Sequence, residues 1–160
     1  MAFLSLVSVA SAEVKIGMVD LNRALQETKA GKTAKSGLEK EIQSKQKKVE
    51  DKQKDFEKLR SEYQKKSMVL GAEARGEKEA ELQQKAMEIQ KMMQEYDVAM
   101  RQKEASVTKP IIDGLRELLP EISRSRKVDM VVEKNAGVLY AVDVTDMTEE
   151  LIREYDKKNK

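Results

Sequence analysis

The sequence predicts an α+β fold: a small β-body from strands at both chain ends, completed by oligomerisation, with a long projecting antiparallel α-helical coiled-coil hairpin. Three observations lead there. Charged residues make up 38% of the 160 residues and aromatics only 4%, which is too little bulk for a compact globule of this length but suits long solvated helices. Apolar residues recur seven apart through the middle of the chain, the mark of a coiled-coil seam. Strand-like alternation is confined to the two ends.

The first twelve residues, Met1 to Ala12 (MAFLSLVSVASA), carry no charge and end in Ala10-Ser11-Ala12. Small residues at those positions are what a signal peptidase reads, so residues 1–12 are expected to be a cleaved signal peptide and the chain to be exported. The usual basic start is missing. Next, Val14, Ile16 and Met18 alternate with Lys15 and Gly17, a strand pattern. Asp20 or Asn22 can cap a short helix running from Leu21 to about Ala30, which Gly31 is expected to interrupt.

From residue 32 the period changes. Ile42, Val49, Phe56, Tyr63 and Leu70 lie seven apart, with Lys45, Lys52 and Lys66 at the intervening core-like positions. Leu82, Ile89 and Tyr96 continue the spacing on a second helix, joined by Ala86, Met93, Met100 and Val107. Gly71 and Gly76 bracket the only turn-like stretch, so the two helices should form an antiparallel hairpin over 32–109 with its tip near 71–76. Pro110 should begin or kink a helix, and Ile111, Ile112, Leu115, Leu118, Leu119 and Ile122 give that helix a strongly apolar face. Val128–Lys134 and Val138–Val144 read as two strands joined by Asn135-Ala136-Gly137, favourable hairpin chemistry. Asp146 to Glu149 reads as a capping box opening a last helix through Leu151, Ile152 and Tyr155. Residues 13–31 and 110–160 are thus the expected body. So few strands bury little by themselves, and the apolar strand residues Val14, Ile16, Met18, Met130, Val132, Leu139 and Ala141 are the candidate oligomerisation face.

The chain has no Cys and no His, which removes thiolate nucleophiles, disulfides, thiolate zinc sites and histidine acid–base catalysis. Glu149 and Glu150 are conceivable as an acid–base pair and Asp143 and Asp146 as metal ligands, but capping explains Asp146 and Glu149, and adjacent glutamates on a helix face different ways. No Gly-rich phosphate loop is present. The reading is a chain without catalytic, cofactor or metal residues, not an enzyme. Overall charge is nearly balanced, 31 basic against 29 acidic residues. The stretch 32–66 holds twelve basic and seven acidic side chains, enough to meet lipopolysaccharide or an anionic membrane surface, though a solvated helix with paired Glu and Lys is the plainer account. No aromatic stacking set accompanies the charge, so nucleic acid is not expected as a partner. Five of the nine methionines fall at Met68, Met87, Met92, Met93 and Met100. Flexible thioethers suit promiscuous binding; Met93 and Met100 are expected to fill the seam, leaving Met87 and Met92 outside it.

IGMVDLNRALQET near the start, VDMVVEKNAGVLYA and DMTEEL near the end, and the charged hairpin between them resemble the Skp (OmpH-like) periplasmic chaperone family along essentially the whole mature chain. One departure is Lys127-Val128, where the family often has a glycine before the second strand. The resemblance implies a homotrimer whose strands build a central β-body and whose hairpins surround a cavity. It implies an ATP-independent, soluble periplasmic holdase for unfolded outer-membrane β-barrel proteins. On that reading Met68, Met87, Met92, Lys45, Lys52 and Lys66 are the candidate client-binding residues. The competing reading is a structural or adaptor coiled-coil protein of the cell envelope.

Overall fold

A computed structural model describes residues 14–160, and the expected signal peptide lies outside them. The elements run β1 (Ile16–Val19), α1 (Leu21–Glu27), α2 (Lys29–Lys66), α3 (Ala72–Arg126), β2 (Met130–Glu133), β3 (Thr145–Asp146) and α4 (Thr148–Lys158). The chain divides into two compact units: Lys32–Pro110, and a second made of the residues before Lys32 and after Pro110.

In the terminal unit β1 lies between β2 and β3, parallel to both. This corrects the hairpin suggested by Asn135-Ala136-Gly137. Gly137 does take positive φ, as turn chemistry requires, but the chain leaving it forms no strand until Thr145. β2 spends its ladder on β1, pairing Ile16 with Met130 and Met18 with Val132. Alternation along β1 then separates two faces. Gly17 and Val19 point into the core, while Ile16 and Met18 are only half-covered.

The core under that inner face comes from helices. Ile111, Leu115, Leu118 and Ile122 on α3 and Leu151, Ile152 and Tyr155 on α4 are buried with Val19, Ala24 and Met147. Tyr155 brings the edge of its ring so close to α3 that a Cβ on Gly114 would come 2.9 Å from its Cε2. Neither Pro110 nor Pro120 ends α3, which runs unbroken through both.

Asp20 caps α1, its Oδ1 accepting from the Arg23 amide at 2.8 Å. The break between α1 and α2 falls at Thr28, not at Gly31. Thr28 is extended (ψ 152), and Gly31 lies inside α2, its amide donating to the Thr28 hydroxyl. A Cβ on Gly31 would sit 1.6 Å from the Leu25 carbonyl oxygen, so the glycine permits the corner instead of ending a helix.

The C-terminal end of α3 closes without a glycine. Lys127 holds φ 54, with its amide donating to the Arg124 carbonyl and the Val128 amide to the Ser123 carbonyl. That is a Schellman closure, which a non-glycine residue fills at some cost.

At α4, Asp146 accepts from the Thr148 amide at 2.9 Å, but the cap position is Met147 and its side chain makes no capping bond. Glu149 turns to Arg23 instead of reaching back, so the capping box does not form.

Candidate functional site

Within the hairpin unit, α2 and α3 run antiparallel. Tyr63 on α2 donates its hydroxyl to the Glu79 carboxylate on α3, and Lys45 lies 4.4 Å from the centre of the Tyr96 ring. These two pairs are nearly equidistant along the sequence from Gly71. The turn covers 67–71, on the near side of the segment bracketed by the two glycines, and Gly76 is helical.

The seam is thin. Val49, Phe56 and Tyr63 on α2, Leu70 in the turn, and Leu82, Ile89 and Tyr96 on α3 are half-buried, and no apolar side chain of this unit is fully buried. On α3 the second line of seam residues steps by three, not four. Lys85 and Met92 are half-covered while Ala86 and Met93 are exposed. Met92, expected outside the seam, faces α2 in a groove with Lys52, Asp55, Ile89 and Tyr96. Met93 and Met100, expected within it, line a second groove with Ile42, Lys45 and Val49, where Met100 is half-buried and Met93 is 50% exposed. A single-residue shift on a helix moves a side chain about 100° round the axis, and only the geometry of the partner helix decides it.

The other candidate residues on this unit divide into engaged and open. Lys45 is engaged by the Tyr96 ring and by Glu41 at 3.7 Å, a cation over an aromatic face. Lys52 rims the groove. Met87 and Lys66 are exposed, and Met68, in the turn, is 95% exposed. Pairs such as Lys78–Glu81 and Arg101–Asp97, each at 2.7 Å, lace the helix surfaces, where water and salt screen them to little worth. The Tyr63 hydroxyl is held to its proton above its ordinary pKa, first by the bond to Glu79.

In the terminal unit the structure gathers four of the seven oligomerisation candidates. Ile16, Met18, Met130 and Val132 share the outer face of the β1–β2 pair, and none is buried. Val14 and Ala141 are exposed too. Leu139 is 99% exposed and its neighbour Tyr140, which sequence reasoning passed over, is 84% exposed. The alternation of Val138, Tyr140 and Val142 was the available signal, and it was spent on a strand.

The carboxylates have structural partners. Glu150 binds Arg126 at 2.6 Å, Glu149 binds Arg23, and Asp146 is held below its ordinary pKa by its bonds from the Thr148 hydroxyl and amide. Among the described residues no cluster of acidic side chains has metal-binding geometry, and no helix is long and apolar enough to cross a membrane.

A three-stranded parallel sheet closed by helices, and a hairpin of long, sparsely apolar helices, define an α+β protein of coiled-coil type. The profile of the family described as "Outer membrane protein (OmpH-like)" matches residues 15–155, and the chain belongs to that family. Its structure is similar to the crystal structure of an OmpH-like chain from Caulobacter crescentus CB15, named as an outer membrane chaperone. The TM-score is 0.79 at 18% identity, covering 92% of this chain and 86% of that one. At that identity the likeness establishes a common fold. No curated protein matches the sequence.

Proposed function

We propose that this chain is a non-enzymatic chaperone of the periplasm, an ATP-independent holdase that keeps unfolded outer-membrane β-barrel proteins from aggregating. The observation that carries it is the hairpin's seam, in a chain of the OmpH-like family: no apolar side chain there is fully buried. A surface that never satisfies its own apolar groups can exchange those contacts for many weak ones with an unfolded chain, which then stays mobile. Met87, Met92, Lys52 and Lys45 along the helices, with Met68 and Lys66 at the turn, are the proposed client-facing residues.

The same proposal includes self-assembly, most simply into a homotrimer. The half-open face of Ile16, Met18, Met130 and Val132, together with Val14, Leu139 and Ala141, supplies apolar surface that a second copy would cover. Hairpins of neighbouring subunits would then enclose the client. The mature chain, mixed with a urea-denatured outer-membrane barrel and diluted, should suppress light scattering at one assembly per client. Unchanged aggregation would reject the holdase reading.

The exposed Leu139–Tyr140 pair favours a second reading, an envelope adaptor docking one folded partner. It predicts a fixed-stoichiometry complex and no protection of unrelated unfolded clients.

A further inference from the structure

We propose that Met93 is a site of reversible oxidation to the sulfoxide, and that the modification loosens α2 from α3 midway along the hairpin. The oxidant is a hypohalous acid, and the partner that reverses the change is a methionine sulfoxide reductase. The chain has no Cys, so no thiol stands ahead of its thioethers as the preferred target. Those thioethers are not equally placed. Met147 is 1% exposed, inside the terminal core. Met87, six residues before Met93 on α3, is open but lines neither of the two grooves between the helices. Met93 has both properties. Half of it is exposed, and it lines the groove with Ile42, Lys45, Val49, Tyr96 and Met100.

The step balances with hypochlorous acid as the oxidant. A sulfur lone pair takes the electrophilic chlorine and hydroxide leaves; water then adds at sulfur, chloride departs and two protons are released. Sulfur is oxidised by two electrons, chlorine is reduced to chloride, and the net product is the sulfoxide, one chloride and one proton. The oxygen turns a flexible apolar side chain into a polar one. Beside Ile42 and Val49 such a group must be hydrated or paired. The donors lining the same groove are the Gln46 amide and the Lys45 ammonium, and that ammonium lies 4.4 Å from the centre of the Tyr96 ring. Water drawn into the groove removes apolar contact, and Lys45 drawn to the sulfoxide gives up its place over the ring. Either outcome weakens the attachment of α2 to α3 in a seam with no fully buried apolar side chain to compensate. The inference concerns the hairpin itself and stands apart from the holdase reading.

The test is titration of the full chain with hypochlorous acid, read by peptide mass spectrometry and by amide hydrogen exchange. Met93 should be oxidised at ratios that leave Met147 intact, and exchange over residues 32–110 should quicken at least about fivefold. Incubation with the two sulfoxide reductases, one for each epimer, and a thiol reductant should restore the parent rates. Met93→Leu should exchange like the parent before treatment and lose the response to it, whereas Met87→Leu should keep the response. Met93→Gln, which carries a polar group without oxidation, should quicken exchange untreated. Oxidation of Met147 ahead of Met93, or unchanged exchange once Met93 is fully converted, overturns the proposal. So does quickening that persists in Met93→Leu. Quickening that the reductases leave in place would assign the effect to chlorinated Lys or Tyr and overturns it equally.

Discussion

The two units of this chain hold their apolar groups differently. Every fully buried apolar side chain among the described residues, from Val19 and Ala24 to Leu151 and Tyr155, belongs to the terminal unit. The hairpin, Lys32–Pro110, keeps its best side chains only half-covered and adds surface ion pairs of small worth. One unit is a packed interior, where volume is fixed and errors are costly. The other is a pair of helices held by a partial stripe, an electrostatic contact or two, and local helix preference. A core makes a shape, while a thin seam leaves apolar surface for exchange.

The largest effect that sharpens this contrast is expected from Leu151→Ala. Leu151 is fully buried, so removing it should cost the terminal unit about 2–5 kcal/mol, read as a drop in urea midpoint. A loss as small as that of a surface change would mean the core is not close-packed.

Next come two glycines of the same helix. Gly31→Ala puts a Cβ 1.6 Å from the Leu25 carbonyl oxygen, a backbone clash that should destabilise by about 1–3 kcal/mol. Gly37→Ala meets nothing within 4 Å and should stabilise by about 0.5–1 kcal/mol through helix preference alone. Thermal unfolding of the two variants side by side tests the corner at Thr28; equal shifts would deny it.

Lys127→Gly removes a side chain from a left-handed position, φ 54, and should raise stability by about 1 kcal/mol. The smallest effect belongs to the hairpin. Lys45→Gln loses the cation over Tyr96 and should cost about 0.5–1 kcal/mol, with any change seen in hydrogen exchange of Lys32–Pro110 alone. A global loss would mean the seam is less independent of the core than the burial suggests.

Much of this was legible beforehand, for reasons that differ by element. The face of Ile111, Leu115, Leu118 and Ile122 announced itself because a buried helical stripe writes its own period into the sequence. The same held for Leu151 and Tyr155. The neighbours of β1 were not legible, because strand pairing is a relation between distant segments and Asn135-Ala136-Gly137 offers a local answer that looks complete. Val138–Val144 alternates like a strand, yet Leu139, Tyr140 and Val142 stand open among the described residues. Of the site, the open Met68 and Met87 and the strand residues Ile16, Met18, Met130 and Val132 could be picked out by type and spacing. Met92 and Met93 could not be told apart, since a step of three or four is settled by the facing helix.

The parallel sheet carries a further consequence, in time instead of space. Both neighbours of β1 come from the far end of the chain; the Lys15 amide reaches the Asp129 carboxylate 114 residues away. The α2–α3 hairpin needs only its own neighbours in sequence, and local contacts form sooner than distant ones. A chain emerging from its N-terminus would therefore have its hairpin in place while its first strand still waited, unpaired, for the last residues to arrive.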